Sequence, residues 1–352
     1  MSHSISVIIV TWNAQKHLET FLPSVTNTEF ENFEIIIADN ASTDESVEWI
    51  RKHHPECKIV TFPRNYGYCG GNNRAADHAT GDIIVFLNND VEVTPDWLTS
   101  IDAAFRDSGV AALQPKILSY TERDKFEYAG AAGGFLDKLG YPFCRGRVFE
   151  TTETDMGQYN DSIPIFWASG AALAIRKDLF FELGRFDDDF MFHMEEVDLC
   201  WRLWNRGHKI ISIPDSVVYH LGGGSLPMKS SRKTYFNFRN SLSMLWKNAS
   251  GDWLKKHFLL RLCLDGLAAI YALFKGNPRD SFAIFKAHLH FYTHWKQVHA
   301  KRIELQKVRT HHSEPDTMIQ TSIIKDYFLK GKKTYNQIMK IVTNDKDSDL
   351  IH

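Results

Sequence analysis

The sequence predicts an α/β fold in which a mostly parallel central sheet is covered by helices on both faces. Over about the first hundred residues, short apolar runs alternate with segments whose apolar residues recur at helical spacing. Strands without interior polar residues are typical of parallel sheets, because helices bury both of their faces. In addition, Asn, Asp and Gly residues follow several of the runs directly, at the strand ends where such sheets bind ligands.

Each element is predicted from its local pattern. Four apolar runs are predicted to be strands, at residues 5–10, 33–38, 59–62 and 82–87. Helices are predicted at residues 18–25, 45–51, 72–79 and 95–106. Farther along, strands are predicted at residues 169–175 and 210–214, with a helix at Glu195–Asn205 between them. Residues 117–165 are polar and rich in glycine in places, which predicts loops and short strands that shape an acceptor site.

The distribution of charge divides the chain into two parts. Residues 1–225 carry 14 more acidic than basic side chains, and residues 226–352 carry 12 more basic than acidic ones. The net charge of −2 over all 352 residues hides this difference. An acidic body with a basic, aromatic and helical tail is typical of a chain that meets an anionic surface.

Cysteine spacing and the apolar segments bear on the location of the protein. Five widely spaced cysteines with no Cys-x-x-Cys pair predict neither a disulfide framework nor a zinc site, which favours a reducing, cytoplasmic compartment. The first apolar run is too short for a signal peptide. The stretch His257–Phe274 contains Arg261 and Asp265, and two central charges cost about 5–7 kcal/mol against about 3–5 kcal/mol returned by its apolar residues. We therefore expect a helix that lies in a membrane interface or packs on the body.

Polar groups at three predicted strand ends are candidate ligand-binding groups. Asp39 follows the second strand, where a carboxylate can accept the N3–H of uracil or thymine; alternatively, Asp39 or Asp44 caps the next helix. The glycine-rich segment 63–73 either brings backbone N–H groups close to a phosphate or forms a plain loop before a helix. The segment Asn88–Asp90 suits a divalent metal shared with substrate phosphates, although Asn and Asp also favour turns.

Two further features lie in the second half of the acidic body. Three carboxylates stand at a predicted helix start, and Asp198 is expected to pair with Arg202 four residues later. The other two, Glu195 and Glu196, either take part in chemistry or simply favour the helix N-terminus. His220 either ligates a metal, contacts a phosphate or has a structural role.

In their order along the chain, these motifs resemble glycosyltransferase family 2, inverting enzymes of the GT-A fold that use nucleotide-sugars. The resemblance covers about residues 4–225 and rests on the segments 6–13, 38–44, 65–73, 88–90, 184–187 and 195–202 together with His220. The chain is most similar to the rhamnosyltransferase-type members of surface polysaccharide pathways, and Tyr235–Ser241 resembles the extension of that subgroup. The resemblance implies nucleotide-sugar binding by residues 1–115, an acceptor side at 116–225 and a helical extension at 226–352.

The resemblance also assigns roles by position. It implies that the nucleoside is held by Thr11, Asn13 and Asp39. It implies contacts with the nucleotide or donor sugar from Asn65, Gly70, Gly71, Asn72, Asn73 and Asn89. Asp90 would bind Mn²⁺ or Mg²⁺ that bridges the diphosphate, with His220 as a second ligand or a diphosphate contact, and Asn88 replaces the first Asp of that motif. The catalytic base would be Glu196, at the Asp position of the family's Glu-Asp pair, with Glu195 as the alternative.

The implied reaction is a single displacement in which an acceptor hydroxyl attacks the anomeric carbon of the sugar. Asp39 favours a UDP- or dTDP-sugar, dTDP-rhamnose among them, and the acceptor would be a glycan or a lipid-linked oligosaccharide at the cytoplasmic face of a membrane. The basic tail predicts peripheral contact with anionic lipid. The alternative is that its aromatic residues cover the body or form a homodimer. No nucleic-acid-binding module is recognisable, so no nucleic acid partner is predicted.

Other classes of protein stay open on the sequence alone. A sugar-phosphate nucleotidyltransferase shares the fold class, but it needs a glycine-rich loop with an Arg after the first strand, where this chain has Thr11-Trp-Asn13. A processive synthase would have several membrane spans and a Gln-x-x-Arg-Trp motif. A non-catalytic carbohydrate-binding subunit would not need the full set of Asp39, Asp90, Glu196 and His220.

Overall fold

The computed structural model describes residues 2–222 and 230–340 and is built around one large sheet. Its first elements are β1 (Ile5–Thr11), α1 (Gln15–Thr26), β2 (Phe33–Asp39), α2 (Ser46–His53), β3 (Lys58–Thr61), α3 (Gly67–Ala76), β4 (Ile83–Leu87), β5 (Val91–Val93), α4 (Trp97–Phe105) and β6 (Val110–Ser119). The middle elements are β7 (Gly134–Asp137), β8 (Pro142–Cys144), β9 (Arg147–Val148), β10 (Thr151–Thr152), β11 (Ile163–Pro164), β12 (Ala172–Arg176), α5 (Lys177–Glu182), α6 (Glu195–Asn205) and β13 (Lys209–His220). The last elements are α7 (Ser231–Asn248), α8 (Gly251–Trp253), α9 (Leu259–Phe274), α10 (Pro278–Thr293), α11 (Trp295–Lys307) and β14 (Met318–Ile319).

The large sheet has the strand order β11-β13-β6-β12-β4-β1-β2-β3, and β5 pairs with β13. Strands β1 to β4 run parallel, and β13 runs parallel to β6. Strand β12 lies antiparallel between β4 and β6, because the chain leaves β6 at its carboxyl end and returns to the sheet from that same edge. The predicted α/β fold class is confirmed, but the sheet is mixed, since β5 and β11 are antiparallel to β13 as well.

Helices cover both faces of the sheet, as predicted. Alternate side chains of a strand point to opposite faces, so Ile8 of β1 and Phe86 of β4 pack with α3, α5 and α6, whereas Val7 and Val85 pack with α1 and α4. Residues 120–171 form the loops and short strands expected of that region. Strands β7 to β10 make a second, small sheet that β14 extends from the C-terminal part.

The structure corrects the prediction for the glycine-rich segment. Helix α3 was expected at residues 72–79, but it begins at Gly67, so most of the predicted loop is helical. A Cβ atom at Gly71 would lie 2.8 Å from Asn40 Nδ2 and 2.9 Å from Val10 Cγ1. The glycines therefore let α3 lie directly on the end of β1, which a helix with larger side chains could not do.

The C-terminal helices pack beside the sheet. Helix α7 contacts α6, and the antiparallel pair α9 and α10 follows it. One described segment, Gly251–Phe274, is long and apolar enough to cross a membrane by length and composition alone. Its two central charges, Arg261 and Asp265, are buried against the body, which agrees with the packed alternative of the prediction. The predicted domain boundary after residue 225 lies outside the described residues.

Candidate active site

The ends of β1, β2 and β4 meet at one edge of the sheet. Thr11 and Asp39 face each other in the register of β1 and β2, and the Asn40 N–H donates to the carbonyl of Thr11 at 2.8 Å. From the end of β4, Asn89 Nδ2 donates to the hydroxyl of Thr11 at 3.4 Å. Three residues expected at the nucleotide are thus neighbours, and the parallel strands place them there.

Asp39 and Asn13 both hold the short loop after β2. Each carboxylate oxygen of the buried Asp39 accepts the Ser42 N–H at 3.2 Å, and Asn13 Oδ1 accepts the Thr43 N–H at 2.7 Å. Asp44 lies before α2, where its carboxylate accepts the Ser46 N–H at 3.2 Å and the Ser46 hydroxyl at 2.6 Å, while the N-cap residue Glu45 makes no side-chain cap hydrogen bond. Asp39 therefore closes a turn at the strand end and does not cap the helix.

A buried chain of three ionisable groups lies beside these residues. His220, the last residue of β13, has Nε2 at 3.2 Å from Asp90 Oδ1 and Nδ1 at 3.3 Å from Glu127 Oε2. The Leu221 N–H donates to the carbonyl of Asp90 at 3.0 Å, which fixes the two strand ends to each other. Glu127 was not predicted, because it belongs to the irregular region where no sequence pattern distinguishes one acidic residue from another.

The electrostatic interactions among these three side chains favour the charged forms of Asp90 and His220. Burial alone would raise the pKa of Asp90, but the hydrogen bond and charge of the His220 ring outweigh it and hold that pKa below its ordinary value. For His220, burial would lower the pKa, whereas Glu127 and Asp90 together raise it to about 10. At neutral pH the edge of the sheet therefore presents an ionised carboxylate next to a protonated imidazolium, which must release its proton before it can ligate a cation.

Asp90 and His220 have the chemistry of a cation site that is completed by its substrate. One carboxylate oxygen and one imidazole nitrogen lie in direct contact, and both are buried. Over residues 2–222 and 230–340, no group of three or more His, Cys, Asp or Glu side chains is arranged to hold a metal alone. A divalent cation bound here would therefore draw its other ligands from phosphates and water, as Mg²⁺ commonly does.

Asn40, which the sequence analysis overlooked, fixes the start of α3. Its Nδ2 donates to the carbonyl of Gly67 at 3.0 Å, and its Oδ1 accepts the Tyr66 N–H at 3.1 Å. The predicted donor contact Asn65 accepts the Gly67 N–H at 2.8 Å and so forms the turn before the helix. Gly67 has a φ of +72°, a conformation that favours glycine.

Four of the predicted donor contacts lie within the packing of α3. The backbone of Gly70 and Gly71 faces neighbouring protein groups, including Tyr66 and Asn40. Asn72 Nδ2 donates to the carbonyl four residues earlier at 3.0 Å. Asn73 donates to the backbone of residue 186 at 2.9 Å and to the carboxylate of residue 188 at 2.7 Å. The geometry thus gives these four residues structural roles, and their contacts with the donor stay a prediction.

The start of α6 carries two carboxylates with unsatisfied oxygens. Glu195 Oε2 and Glu196 Oε2 are both buried without a hydrogen-bond partner, as is His193 Nε2. The chain reaches them through a strained segment, because Met191, His193 and Met194 all have φ between 59° and 69°. Positive φ at such residues is costly and concentrates at functional sites. The segment therefore holds polar groups ready for a ligand.

The two glutamates differ in ionisation. Burial, together with the charge of Glu196, raises the pKa of Glu195 well above its usual range. Burial raises the pKa of Glu196 to about 7, although backbone N–H groups oppose the shift. Tyr68 connects this helix start with the sheet edge. Its pKa is raised mainly by burial and further by the charges of Glu195 and Glu196. Its hydroxyl donates to the carbonyl of Gly170 at 2.7 Å.

Helix α7 holds the strained segment in place. Asn240 Nδ2 donates to the carbonyls of residues 190, 192 and 193 at 3.0, 2.7 and 2.7 Å. Arg239 Nη2 donates to the carbonyls of residues 189 and 190 at 2.6 and 3.0 Å. Both residues belong to Tyr235–Ser241, the tail segment that resembles the subgroup, but no local pattern in that segment predicts this contact.

The predicted ion pair between Asp198 and Arg202 is confirmed. Arg202 Nε donates to Asp198 Oδ2 at 3.0 Å, and the buried Lys247 of α7 lies 2.9 Å from Asp198 Oδ1. Asn248 Nδ2 donates to the same oxygen at 2.7 Å. Asp198 is therefore fully used in joining α6 to α7, and Glu195 and Glu196 are left as the carboxylates available for chemistry.

A mixed sheet of this topology, with Asp90 at the end of β4 and acidic residues at the start of α6, defines the GT-A class of glycosyltransferases. The model of the family "Glycosyl transferase family 2" matches residues 6–181. The chain belongs to that family, and the resemblance inferred from the motifs is confirmed. This membership favours a glycosyltransferase over a sugar-phosphate nucleotidyltransferase or a non-catalytic carbohydrate-binding subunit.

The relatives are glycosyltransferases and polysaccharide biosynthesis proteins at low identity. N-acetylglucosaminyl-diphospho-decaprenol L-rhamnosyltransferase of Mycobacterium tuberculosis (strain CDC 1551 / Oshkosh) is 26% identical over 272 residues, which are 72% of this chain and 87% of that protein. The O-antigen biosynthesis protein RfbC of Myxococcus xanthus is 26% identical over 226 residues, 61% of this chain and 17% of that protein. The crystal structure of GalNAc-T7 with UDP, GalNAc and Mn²⁺ matches with a TM-score of 0.55 and 19% identity, over 72% of this chain and 49% of that one. The GT-A fold is thereby confirmed.

Proposed function

We propose that this chain transfers a sugar from a UDP- or dTDP-sugar to a hydroxyl of a lipid-linked glycan acceptor during surface polysaccharide synthesis. The observation that carries the proposal is the carboxylate of Glu196 at the start of α6, whose Oε2 is buried without a hydrogen-bond partner and whose pKa is raised to about 7. The name of the mycobacterial relative supports a rhamnosyl donor and an acceptor on a lipid diphosphate. That of the Myxococcus relative supports a role in surface polysaccharide synthesis.

Glu196 acts as the general base. An acceptor hydroxyl is a poor nucleophile at neutral pH, so a carboxylate must take its proton during the attack, and such help contributes about 10²–10⁴-fold. Burial, together with the charge of Glu196, raises the pKa of Glu195 well above its usual range, which favours its neutral form and makes it the weaker candidate for the base. Glu196, with a pKa of about 7, is ionised in half of the molecules at that pH.

The sheet edge holds the donor. Asp39 and Thr11 contact the nucleoside, with Asn13 and Asn89 beside them. Asp90, together with His220 once its ring has lost its proton, would hold Mn²⁺ or Mg²⁺, which would supply positive charge for the leaving diphosphate. The Mn²⁺ in the crystal structure of GalNAc-T7 supports a metal of this kind. Attack on the face opposite the diphosphate inverts the anomeric configuration, and no covalent enzyme intermediate is needed.

The chain works as a peripheral protein on the cytoplasmic face of a membrane. The basic tail supports contact with anionic lipid, since each Lys or Arg near such a leaflet contributes about 1 kcal/mol. All five cysteines are free, which agrees with a reducing compartment.

The test is a transfer assay with purified full-length protein, Mn²⁺, a panel of UDP- and dTDP-sugars and a synthetic lipid-diphosphate N-acetylglucosamine acceptor. We expect nucleoside diphosphate release that depends on the acceptor, and a product whose anomeric configuration, read by NMR, is inverted. Retention of configuration would contradict the single displacement. Pyrophosphate and a new nucleotide-sugar as products would instead favour the nucleotidyltransferase class.

A further inference from the structure

Helix α9 buries charged residues and exposes apolar ones, which is the reverse of a surface helix in a water-soluble protein. Its two fully buried side chains are the charged residues Arg261 and Asp265, while its large apolar residues point outward. Arg261 Nε donates to Asp265 Oδ1 at 3.0 Å, and its guanidinium lies over the Tyr141 ring at 3.7 Å. The Tyr141 hydroxyl donates to Asp265 Oδ1 at 3.2 Å, and His288 Nε2 of α10 lies 3.4 Å from Asp265 Oδ2. Arg261 and Asp265 Oδ1 thus have partners inside the protein, whereas Asp265 Oδ2 has only the ionic contact with the His288 ring.

The outward residues form one continuous apolar stripe on α9. They recur at three- and four-residue spacing, which places them on a single helix face: Leu260, Cys263, Leu267, Ile270, Tyr271 and Phe274. Helix α10 lies antiparallel beside it and adds a second stripe of the same kind: Phe282, Phe285, Leu289 and Tyr292. Phe274 is 87% exposed and Phe282 is 65% exposed. We call the two stripes together the apolar face.

Exposed apolar surface of this extent is unusual on a soluble monomer and marks a docking site. Its border is basic: Lys255 and Lys256 precede α9, and Lys275 and Arg279 stand at the turn between the helices, all exposed. Few acidic groups offset them between residues 251 and 293. Asp265 is buried, Asp280 accepts a hydrogen bond from Thr234 at 3.1 Å, and Asp252 lies 3.6 Å from Lys255.

We propose that the apolar face of α9 and α10 inserts into the surface of an anionic lipid leaflet, with its basic border on the lipid headgroups. This surface makes the membrane contact. The inference rests on the proposed function only in that the contact would bring the enzyme to a lipid-linked acceptor. Tyr271 and Tyr292 have the apolar ring and polar hydroxyl that are favoured at the membrane interface. A helix with one apolar and one polar face lies in the plane of such an interface.

The buried ion pair determines that α9 lies on the membrane and does not cross it. Crossing would remove Arg261 and Asp265 from Tyr141 and His288 and place both charges in hydrocarbon. The basic border favours lipid over the other candidate partner of the apolar face, a second copy of this chain. Two such faces brought together would oppose Lys255, Lys256, Lys275 and Arg279 with one another, whereas anionic headgroups would neutralise them.

The experiment uses the full-length chain and Cys263, which is the one exposed cysteine and lies in the middle of the apolar face. An environment-sensitive fluorophore on Cys263 reports insertion, and flotation measures binding to vesicles. The vesicles contain phosphatidylcholine alone or with about one-third phosphatidylglycerol. The test variant is Phe274→Gln with Phe282→Gln. The matched control is Met156→Gln with Leu329→Gln, whose side chains are 83% and 80% exposed elsewhere on the surface.

We expect wild type and the control variant to float with the anionic vesicles, with a blue shift of the fluorophore, and the test variant to bind at least about tenfold less. Binding should weaken as salt is added. No flotation at low salt, or equal binding by the test variant, overturns the proposal. A concentration-dependent dimer that the test variant abolishes also overturns it, because the face would then be a subunit interface. Donor binding, measured by calorimetry without lipid, should be the same in all variants, so failure of docking and failure of the proposed transfer are distinguishable.

Discussion

Replacing Glu196 with Gln tests the centre of the proposed mechanism. Gln keeps the size of the side chain and its place at the start of α6, but it cannot accept a proton. General-base catalysis contributes about 10²–10⁴-fold, so we expect kcat to fall by that factor while donor affinity stays within about twofold. In the proposed mechanism other residues, at the sheet edge, hold the donor, which is why its binding should be nearly unchanged.

The pH dependence of the wild-type enzyme gives the second half of this prediction. Only the ionised carboxylate can act as the base, so activity should rise with pH. With a pKa of about 7 for Glu196, transfer at pH 6 should be about a tenth of the plateau reached above pH 8. The free carboxyl of an unperturbed Glu would place this limb near pH 4.5 instead.

The assay is acceptor-dependent nucleoside diphosphate release under saturating donor, measured from pH 5.5 to pH 9 in wild type, Glu196→Gln and Glu195→Gln. Burial raises the pKa of Glu195 well above its usual range and favours its neutral form, so its replacement by the neutral Gln should leave most of the activity and the position of the limb. A flat profile in wild type would refute the reasoning. So would a loss in Glu195→Gln that equals or exceeds the loss in Glu196→Gln.

Three further predictions concern the candidate cation ligand Asp90, the strained segment before α6 and the buried charge of Lys247 in α7. Asp90→Asn should weaken donor binding in the presence of Mn²⁺ by about tenfold or more but leave binding without metal unchanged. Calorimetry with and without a chelator measures both affinities. An equal loss in both conditions would argue against Asp90 as a metal ligand. Asn240→Leu should lower kcat by about 10–100-fold at constant donor KM, because the carbonyls before Glu195 lose their donor; an unchanged kcat would mean that the segment holds its shape unaided. Lys247→Met removes the ammonium group whose Nζ lies 2.5 Å from Asp187 Oδ2 and 2.9 Å from Asp198 Oδ1. It should lower the free energy of unfolding by about 3–5 kcal/mol in urea titration; a value under about 1 kcal/mol would show that Lys301 and Arg202 suffice.

The sequence was sufficient to place the strand ends because local apolar runs and polar residues after them are properties of single segments. Strand β6 was missed, although every residue from Val110 to Leu118 is buried. Its apolar run is interrupted by Gln114, Pro115 and Lys116. The structure satisfies Lys116 inside the protein, with Nζ at 2.7 Å from Asp155. No local pattern reveals that a distant carboxylate will compensate a buried charge.

The same limit explains the residues missed at the site. Asn40 and Glu127 act through partners 26 to 93 residues away, namely Tyr66 for Asn40 and His220 for Glu127. The structural roles of Asn72 and Asn73 were missed as well, because their amides hydrogen-bond protein groups once α3 begins at Gly67. Moving the start of a helix by five residues changes which side chains can meet a substrate.

Helix α7 joins the two surfaces on which the proposed activity depends. On one side Asn240 holds the strained segment that leads to Glu196. On the other side α7 packs on α10, where Thr234 donates to Asp280 at 3.1 Å and the Tyr235 ring contacts His290. Because one helix supports both, a lipid-bound acceptor held by the apolar face would reach the base at a fixed position. Activity on a lipid-linked acceptor in anionic vesicles should then fall in Phe274→Gln with Phe282→Gln, whereas activity on a soluble acceptor should not.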